Sequence, residues 1–265
     1  MSVIEAIILG ILQGFTEFLP VSSSGHIELG KAMFNIQQTD NLTFTILVHG
    51  ATVLSTIVVL RHEIWKLISA VFRFTWNEET QYLAKLAVSM IPVGLVGVFF
   101  EDAVEQLFNG RVVMVGVLLI CTGIILQLSR LDKGQNKQVG YKHAMAIGLA
   151  QAVAILPGIS RSGATIATAL AMGIAKPHAT RFSFLMVLAP IMGATILKIG
   201  KLGKEASTTP QTDWLPYLAG FLAAFIAGWI ACRWMLNLVQ GGKITYFSVY
   251  CVIAGCIAIA AGWFF

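Results

Sequence analysis

The chain has 265 residues, of which 57% are hydrophobic and 12% are charged, with a mean hydropathy of +0.78 and a formal net charge of +5. Because soluble domains carry about a quarter charged residues, this composition excludes a soluble globular protein and predicts an integral membrane protein. The net positive charge does not indicate nucleic-acid binding, since membrane proteins concentrate Lys and Arg in their cytoplasmic loops.

Two kinds of apolar segment alternate along the chain. Two regions, 3–35 and 144–175, are each interrupted midway by a loop rich in Pro, Ser and Gly. A membrane span takes roughly 20 residues at about 1.5 Å each. Six uninterrupted stretches are candidate spans: 42–60, 85–100, 112–129, 182–199, 214–235 and 244–265.

The interrupted regions predict re-entrant helical hairpins that enter and leave the membrane on one side, because irregular backbone is tolerated at depth only where protein or a water-filled cavity covers it. Each half of the chain, 1–129 and 130–265, then holds one hairpin followed by three spans. Three is odd, so the second half enters from the opposite face. The predicted fold is a single all-α membrane domain, an inverted-topology repeat whose hairpin tips meet near the midplane.

Charge counting orients this arrangement. The side that carries the 130–143 loop collects twelve of the 18 lysines and arginines, and the other side collects five, with Arg161 set aside as intramembrane. Because cytoplasmic loops carry the excess of Lys and Arg, the first side is predicted to be cytoplasmic and both termini to lie outside the cytoplasm.

Two segments, 10–26 and 148–164, are versions of each other at a constant offset of 138 residues. The offset pairs identical residues: Gly10 with Gly148, Gln13 with Gln151, Ser22 with Ser160, Ser24 with Ser162 and Gly25 with Gly163. Both segments contain the predicted hairpin breaks. Because polar loops are costly in a membrane, the duplicated pair predicts one shared site.

Glu17 lies on a helix face with Gly10, Gln13 and Gly14, which recur at steps of three and four residues. The glycines would let another helix approach closely. An ionised side chain at this depth costs about 2.5–3.5 kcal/mol on insertion scales, so a cation, a partner charge or a proton must offset it. The alternative is a structural glutamate paired with a cation elsewhere in the bundle.

Three consecutive serines, 22–24, precede Gly25 and His26 in a loop that leads into a helix. Hydroxyls there cap free backbone N–H groups, and the remaining donors attract anions. The imidazole of His26 titrates near physiological pH, which suits acid–base chemistry. The alternative is a hydrogen-bonded core histidine. For His49, inside the first predicted span, a cavity-facing role and a packing role are equally open.

The second copy lacks the carboxylate and the imidazole and carries Arg161 at the position of Ser23. Ser160 and Ser162 flank the arginine, and Thr165 follows one turn later. Arginine presents planar donors suited to phosphate oxygens and keeps its charge, so a carboxylate or a ligand must neutralise it. An acid and an imidazole from one hairpin with a guanidinium from the other are typical of a site for a phosphate ester or anhydride.

With these two motifs the sequence closely resembles the undecaprenyl-pyrophosphate phosphatase family linked to bacitracin resistance. The resemblance extends over the full length and is carried by Gln13-Gly-Phe-Thr-Glu-Phe-Leu-Pro-Val-Ser-Ser-Ser-Gly-His26 and Leu156-Pro-Gly-Ile-Ser-Arg-Ser-Gly-Ala-Thr165, with support from Phe182-Ser-Phe-Leu and Met192-Gly-Ala. It implies a multi-pass enzyme of the bacterial inner membrane with an active site open to the outside. Such an enzyme removes the terminal phosphate of a C55 isoprenyl diphosphate and so recycles the lipid carrier for cell-wall synthesis.

The resemblance also implies roles for residues of both motifs. Glu17 corresponds to the essential acid, Ser23 and His26 to the candidate nucleophile and acid/base, and Arg161 to the phosphate-binding arginine. A divalent cation, Mg²⁺ or Ca²⁺, is implied, with Glu17 and Gln13 as its candidate ligands. The candidate substrate-binding residues are Ser22, Ser24, Gly25, Ser160, Ser162, Gly163 and Thr165.

Several alternatives stay open. The nucleophile is Ser23 deprotonated by His26, or His26 itself, or an activated water. A transporter that flips an anionic polyprenyl phosphate is the second candidate function, because broken helices that meet at the midplane are typical of secondary carriers. A purely structural subunit does not explain why both hairpins retain a Ser-x-Ser-Gly loop. The glycine-rich spans would accommodate a homodimer.

Overall fold

The computed structural model describes residues 1–34, 41–100, 112–131, 136–193 and 214–262. Apart from one isolated bridge between Lys137 and Ile174, the regular structure in these ranges is helical, so the predicted all-α class is confirmed. The helices are α1 (Val3–Phe18), α2 (Ser23–Phe34), α3 (Asn41–Val59), α4 (Arg61–Val71), α5 (Glu78–Phe99), α6 (Val112–Gln127), α7 (Tyr141–Val153), α8 (Arg161–Ala171), α9 (Lys176–Met186), α10 (Leu215–Gln240) and α11 (Thr245–Ala261).

Three of the described helices are long and apolar enough to cross a membrane: α5, α6 with its 3₁₀ extension Leu128–Leu131, and α10. The pair α3–α4 provides a fourth if it is counted as one span bent by 82°. Helix α11 is apolar but shorter. The chain is therefore a multi-pass helical membrane protein.

Each predicted hairpin is a pair of helices separated by a short break. Helix α1 ends at Phe18 and α2 begins at Ser23, and Ser22 between them has a φ of 70°. A non-glycine residue rarely adopts this left-handed conformation, so Ser22 marks a tightly constrained turn. Helices α7 and α8 flank the second break, in which Gly158 has a φ of 108°.

The first arm of each hairpin packs closely against a long helix of the other half. On α1, a Cβ added to Gly14 would lie 2.6 Å from the carbonyl oxygen of Ala224 and 2.7 Å from the Cβ of Ala227, both on α10. On α7, a Cβ added to Gly148 would collide with the backbone of Ser89 on α5. Small residues let helix backbones approach in this way, as the spacing of the glycines predicts.

The last helices of the two halves, α6 and α11, also pack through small residues. A Cβ on Gly116 would lie 2.8 Å from the carbonyl oxygen of Gly255. Nearby, Ser248 Oγ donates to the carbonyl oxygen of Gly123 at 2.7 Å and accepts from Gln127 Nε2 at 2.5 Å. These glycines serve packing within the chain and give no separate support for a dimer.

Two elements differ from the predicted spans. Helix α4 was not predicted; it turns away from α3 and leaves Trp65 and Ile68 exposed. The predicted span 182–199 does not begin at residue 182 and is not continuous. Helix α9 begins earlier, at Lys176, and ends at Met186, and helical structure resumes over 188–193. Pro190 lacks the N–H that would bond to the carbonyl of Met186, which explains the interruption. Residues 194–199 lie outside the described ranges.

Candidate active site

Glu17, near the C-terminus of α1, is buried where the two hairpins meet. Its Oε1 accepts a hydrogen bond from Nη2 of Arg161 at 2.5 Å. Its Oε2 accepts from Nε2 of Gln13 at 2.9 Å and from Oγ of Ser23 at 2.6 Å. The fold therefore brings together the carboxylate of one hairpin and the guanidinium of the other, 144 residues apart in the sequence.

Arg161 is the first residue of α8, and the surrounding hydroxyls hold this helix start in place. Ser160 is the N-cap: its Oγ accepts from the N–H of Gly163 at 3.1 Å. Thr165 Oγ1 donates to the carbonyl oxygen of Arg161 at 2.8 Å and lies 2.6 Å from Oγ of Ser183 on α9. Simple capping thus accounts for Ser160, and the guanidinium extends from a fixed backbone.

The first tip repeats this hydrogen-bond pattern. Ser22 Oγ accepts from the N–H of Gly25 at 3.3 Å and lies 3.4 Å from Oγ of Ser24. The matching distance from Ser160 Oγ to Ser162 Oγ is 3.3 Å. The duplicated Ser-x-Ser-Gly sequence therefore forms the same side-chain hydrogen bonds twice, on backbones with a φ of 70° at Ser22 and −76° at Ser160. The residue between the two serines is the one that the copies do not share.

The two tips also contact each other directly. Oγ of Ser162 donates to the carbonyl oxygen of Leu19 at 3.2 Å. A Cβ on Gly25 would lie 3.1 Å from the Cα of Gly158, so the backbones of the two breaks nearly touch there. Thr122 on α6 holds the second tip by donating to the carbonyl of Gly158 at 2.8 Å and accepting from the N–H of Ser160 at 2.9 Å.

His26 and Ser23 have different partners. Nδ1 of His26 lies 2.8 Å from the carbonyl oxygen of Ser22, and Nε2 lies 2.8 Å from the hydroxyl of Tyr250 on α11. The hydroxyl of Ser23 instead donates to Glu17. In the structure the Ser23 hydroxyl is therefore hydrogen-bonded to a carboxylate and not to His26, the base in one of the three alternatives for the nucleophile.

Tyr250 was missed in the sequence analysis. A tyrosine inside an apolar helix, as Tyr250 is in α11, is a signal that could have identified it. Its partner His26 lies 224 residues away in the chain, however, so the pairing itself needs the fold.

His49, on α3, is close to the same carboxylate. Its Nδ1 lies 2.8 Å from the carbonyl oxygen of Thr45, and its Nε2 lies 3.9 Å from Oε2 of Glu17. Of the two roles left open for this residue, the structure favours the one that faces the site.

A narrow cleft opens beside these residues. Glu17, Arg161, Ser162 and Ser183 supply its charged and hydroxyl-bearing lining. The rest of its wall comes from α1, α3, α9 and the residues that follow α9. These side chains are mainly apolar: Phe18, Val53, Phe184, Val187, Leu188 and Ile191. Thr52 and Thr56 add two hydroxyls. The lining therefore combines one ion pair with a mainly apolar wall, a chemistry that suits an amphiphile with an anionic head.

The buried amides provide a test of whether a cation fits. Gln13 Oε1 is buried and lacks a hydrogen-bond partner, as do both polar atoms of Gln151. A free carbonyl oxygen beside the Glu17 carboxylate matches the oxygen ligands that Mg²⁺ and Ca²⁺ prefer. The described residues hold no group of three or more His, Cys, Asp and Glu that could bind a metal. A cation here would accordingly take most of its ligands from water and phosphate.

Comparison with known proteins agrees with this geometry. Residues 6–257 match the family model described as "Bacitracin resistance protein BacA". The chain is 49% identical over 261 residues to an undecaprenyl-diphosphatase of Parabacteroides distasonis, with 98% of each chain covered. It is similarly close to that of Bacteroides thetaiotaomicron (49% over 260 residues, 98% of each) and is 35% identical over 268 residues to that of Oceanobacillus iheyensis, covering 97% of this chain and 96% of the relative. The chain belongs to the BacA family of bacitracin resistance proteins.

Proposed function

We propose that this protein is an undecaprenyl-diphosphatase, which hydrolyses the terminal phosphate of a C55 isoprenyl diphosphate and returns the lipid carrier to cell-wall synthesis. The observation that carries the proposal is the contact between Glu17 and Arg161 in the lining of an otherwise mainly apolar cleft. The names of the relatives agree with it.

Arg161 is the residue that holds the headgroup. Its side chain is 28% exposed, whereas that of Glu17 is 7% exposed, so the guanidinium is the more accessible of the two charged groups that line the cleft. Five N–H donors let one guanidinium contact Glu17 and a phosphate together. Ser162 and Thr165 supply nearby hydroxyls, and Ser22, Ser24, Gly25, Ser160 and Gly163 shape the two turns that frame the headgroup.

Ser23 is the nucleophile that this geometry favours. Its hydroxyl already donates to Oε2 of Glu17, so the carboxylate can accept the proton as Oγ attacks the terminal phosphorus. The Oγ–P bond forms and the anhydride P–O bond breaks, which releases the polyprenyl monophosphate. Water then attacks the phosphoserine: its oxygen bonds to phosphorus, the Oγ–P bond breaks, the proton held by Glu17 returns to Oγ, and inorganic phosphate is released. His26, one turn after Ser23 on α2, is the proposed acid/base for this water. Arg161 neutralises charge on the transferring phosphoryl group.

Glu17 and Gln13 are the residues that would hold Mg²⁺ or Ca²⁺, through a carboxylate oxygen and the free Oε1 of the amide. Such a cation supplies further neutralisation of diphosphate charge when it is bound. Because Mg²⁺ commonly keeps several waters and binds substrate phosphates directly, one carboxylate and one amide are an adequate protein contribution.

The lipid tail leaves the site along the apolar wall of the cleft. Phe18 and Phe184, whose rings meet edge to face with centroids 5.5 Å apart, line the same cleft as Glu17 and Arg161. Val187, Leu188 and Ile191 follow where the helix after α9 is interrupted. A tail in this position would pass between α3 and α9 into the bilayer.

The fold that accompanies this function is six spans and two re-entrant hairpins in an inverted repeat, in the inner membrane, with both termini outside the cytoplasm and the site opening outward. Exchanged contacts support the repeat. Gly14 on α1 packs on α10, and the duplicated segment's Gly148 on α7 packs on α5, so the first arm of each hairpin contacts the other half. Such exchange is what a pseudo-twofold axis in the membrane plane requires.

Phosphate release in detergent tests the proposal. The purified protein is expected to release inorganic phosphate from undecaprenyl diphosphate, to lose that activity in EDTA and to regain it on addition of Mg²⁺ or Ca²⁺. A flippase needs a sealed bilayer, whereas a hydrolase does not. A protein that releases no phosphate in detergent with either cation, but moves polyprenyl phosphate across vesicles, would show that the transporter alternative is correct.

A further inference from the structure

The imidazole of His26 is held on both sides. Nδ1 lies 2.8 Å from the carbonyl oxygen of Ser22, and because a carbonyl only accepts, this nitrogen is assigned the hydrogen. Nε2 of the neutral ring is then an acceptor, and the hydroxyl of Tyr250 donates to it at 2.8 Å. The two rings are also stacked, with centroids 5.7 Å apart and planes inclined by 12°.

The neighbours of Tyr250 fix its position along α11. Two residues earlier, Ser248 forms hydrogen bonds with Gly123 and Gln127 on α6. On the next residue, Sγ of Cys251 lies 3.6 Å from the carbonyl oxygen of Pro20 in the first hairpin break. The tyrosine hydroxyl is therefore carried by a helix that is anchored both to α6 and to the tip that bears His26.

We propose that Tyr250 is a positioning residue: its hydroxyl sets the orientation of the His26 ring for acid–base chemistry at the diphosphate, while the carbonyl of Ser22 sets the tautomer, and Nε2 exchanges the tyrosine for the transferred proton during the reaction. The proposal rests on the proposed function. A histidine that transfers protons needs partners that fix its tautomer and its ring orientation. The carbonyl of Ser22 fixes the tautomer at Nδ1, and the group that fixes the orientation is Tyr250. Here that group comes from the second half of the chain, so the last helix completes a site that the first hairpin begins.

Tyr250→Phe tests the role of the hydroxyl while retaining the stacked ring. The matched control is Tyr246→Phe, one turn earlier on α11 and strongly exposed. In the phosphate-release assay, Tyr250→Phe is expected to lower kcat about tenfold, the scale of one hydrogen bond, with KM unchanged within about twofold. Tyr246→Phe is expected to match the wild type in both constants.

Two readouts separate positioning from a general structural effect. In a His26→Ala background, Tyr250→Phe is expected to cause no further loss, because both variants remove the same function. Diethyl pyrocarbonate is expected to modify His26 severalfold faster in Tyr250→Phe than in the wild type or Tyr246→Phe, since Nε2 loses its partner; peptide mass spectrometry locates the modified residue.

The outcomes are distinguishable. If the wild type is active and Tyr250→Phe has a normal kcat, or if its loss multiplies with that of His26→Ala, or if modification of His26 is not faster, the inference is wrong and the proposed function stands. A wild type that releases no phosphate overturns the proposed function and, with it, the role of Tyr250 in the reaction.

Discussion

Glu17 has a dense set of partners for a buried carboxylate. Arg161 provides the balancing charge, and Gln13 and Ser23 provide hydrogen bonds to the second oxygen. Removing one partner of a buried ion pair typically costs about 3–5 kcal/mol, because the remaining charge is left uncompensated. The same contacts that make the ion pair tolerable in the membrane thus link the two halves of the chain to one another.

Ser23 is predicted to carry the phosphoryl group during turnover. With substrate labelled in the terminal phosphate and rapid acid quenching, the wild type is expected to yield a labelled protein and Ser23→Ala none. Phosphate release by Ser23→Ala is expected to fall by more than about 100-fold, as for loss of other essential catalytic groups.

Ser69→Ala, which alters a half-buried serine on α4 bonded to its own helix, is the control and should be labelled like the wild type. Label on the peptide that contains His26 would assign the nucleophile to the imidazole instead. Full activity of Ser23→Ala would point to water.

At the scale of single helices, glycine decides how closely elements approach. Gly14→Ala would place a methyl group 2.6 Å from the α10 backbone, and neither helix can yield without moving the site. Overpacking costs about 1–3 kcal/mol, more than the roughly 1 kcal/mol that alanine gains over glycine in a helix. Gly14→Ala is therefore expected to lower the thermal midpoint in detergent by several degrees.

Gly94 on α5 supplies the matched control for this prediction, since a Cβ there would meet nothing within 4 Å. Gly94→Ala is expected to leave the midpoint unchanged or slightly higher, because only the helix propensity changes. Equal midpoints for the two variants would show that the contact between α1 and α10 is looser than described.

The elements were predictable from sequence to different degrees. The hairpins and the glycine contacts follow from local pattern, since an interrupted apolar run and a three-to-four spacing each have one physical interpretation. Helix α4 does not, because 11 residues with Arg61, Glu63 and Lys66 resemble a loop when only spans are sought. The end of α9 at Met186 was predictable from Pro190, whose effect falls one helical turn earlier in the chain.

The site residues also differ in how far the sequence alone could predict their contacts. Glu17 and Arg161 could be paired from sequence, because two duplicated tips with opposite charges have to neutralise each other in a membrane. The contact of His26 with Tyr250 could not, since no spacing or periodicity connects α2 with α11. The choice of Glu17 over His26 as the partner of Ser23 depends on side-chain geometry within one turn, which local pattern does not determine.

For the whole molecule, the proposed inverted repeat makes a prediction about which side of the membrane each loop occupies. Ser2→Cys and Thr75→Cys introduce thiols at exposed positions, in a Cys256→Ser background because Cys256 is itself exposed. A membrane-impermeant maleimide is expected to label position 2 in intact spheroplasts and position 75 only after lysis, since basic loops remain in the cytoplasm. Labelling of position 75 in intact spheroplasts would show that this loop faces outward and that the proposed orientation is wrong.

The central claim is that Glu17 of one hairpin and Arg161 of the other act on the same phosphorylated headgroup. A double-mutant cycle on kcat/KM for phosphate release, with Glu17→Gln, Arg161→Gln and the double variant, measures this most directly. Each single variant is expected to lose at least about 100-fold, and the double variant to be no worse than the poorer single one, because residues that act as a unit are strongly non-additive. Losses that multiply, or a single variant that retains wild-type activity, would contradict the account.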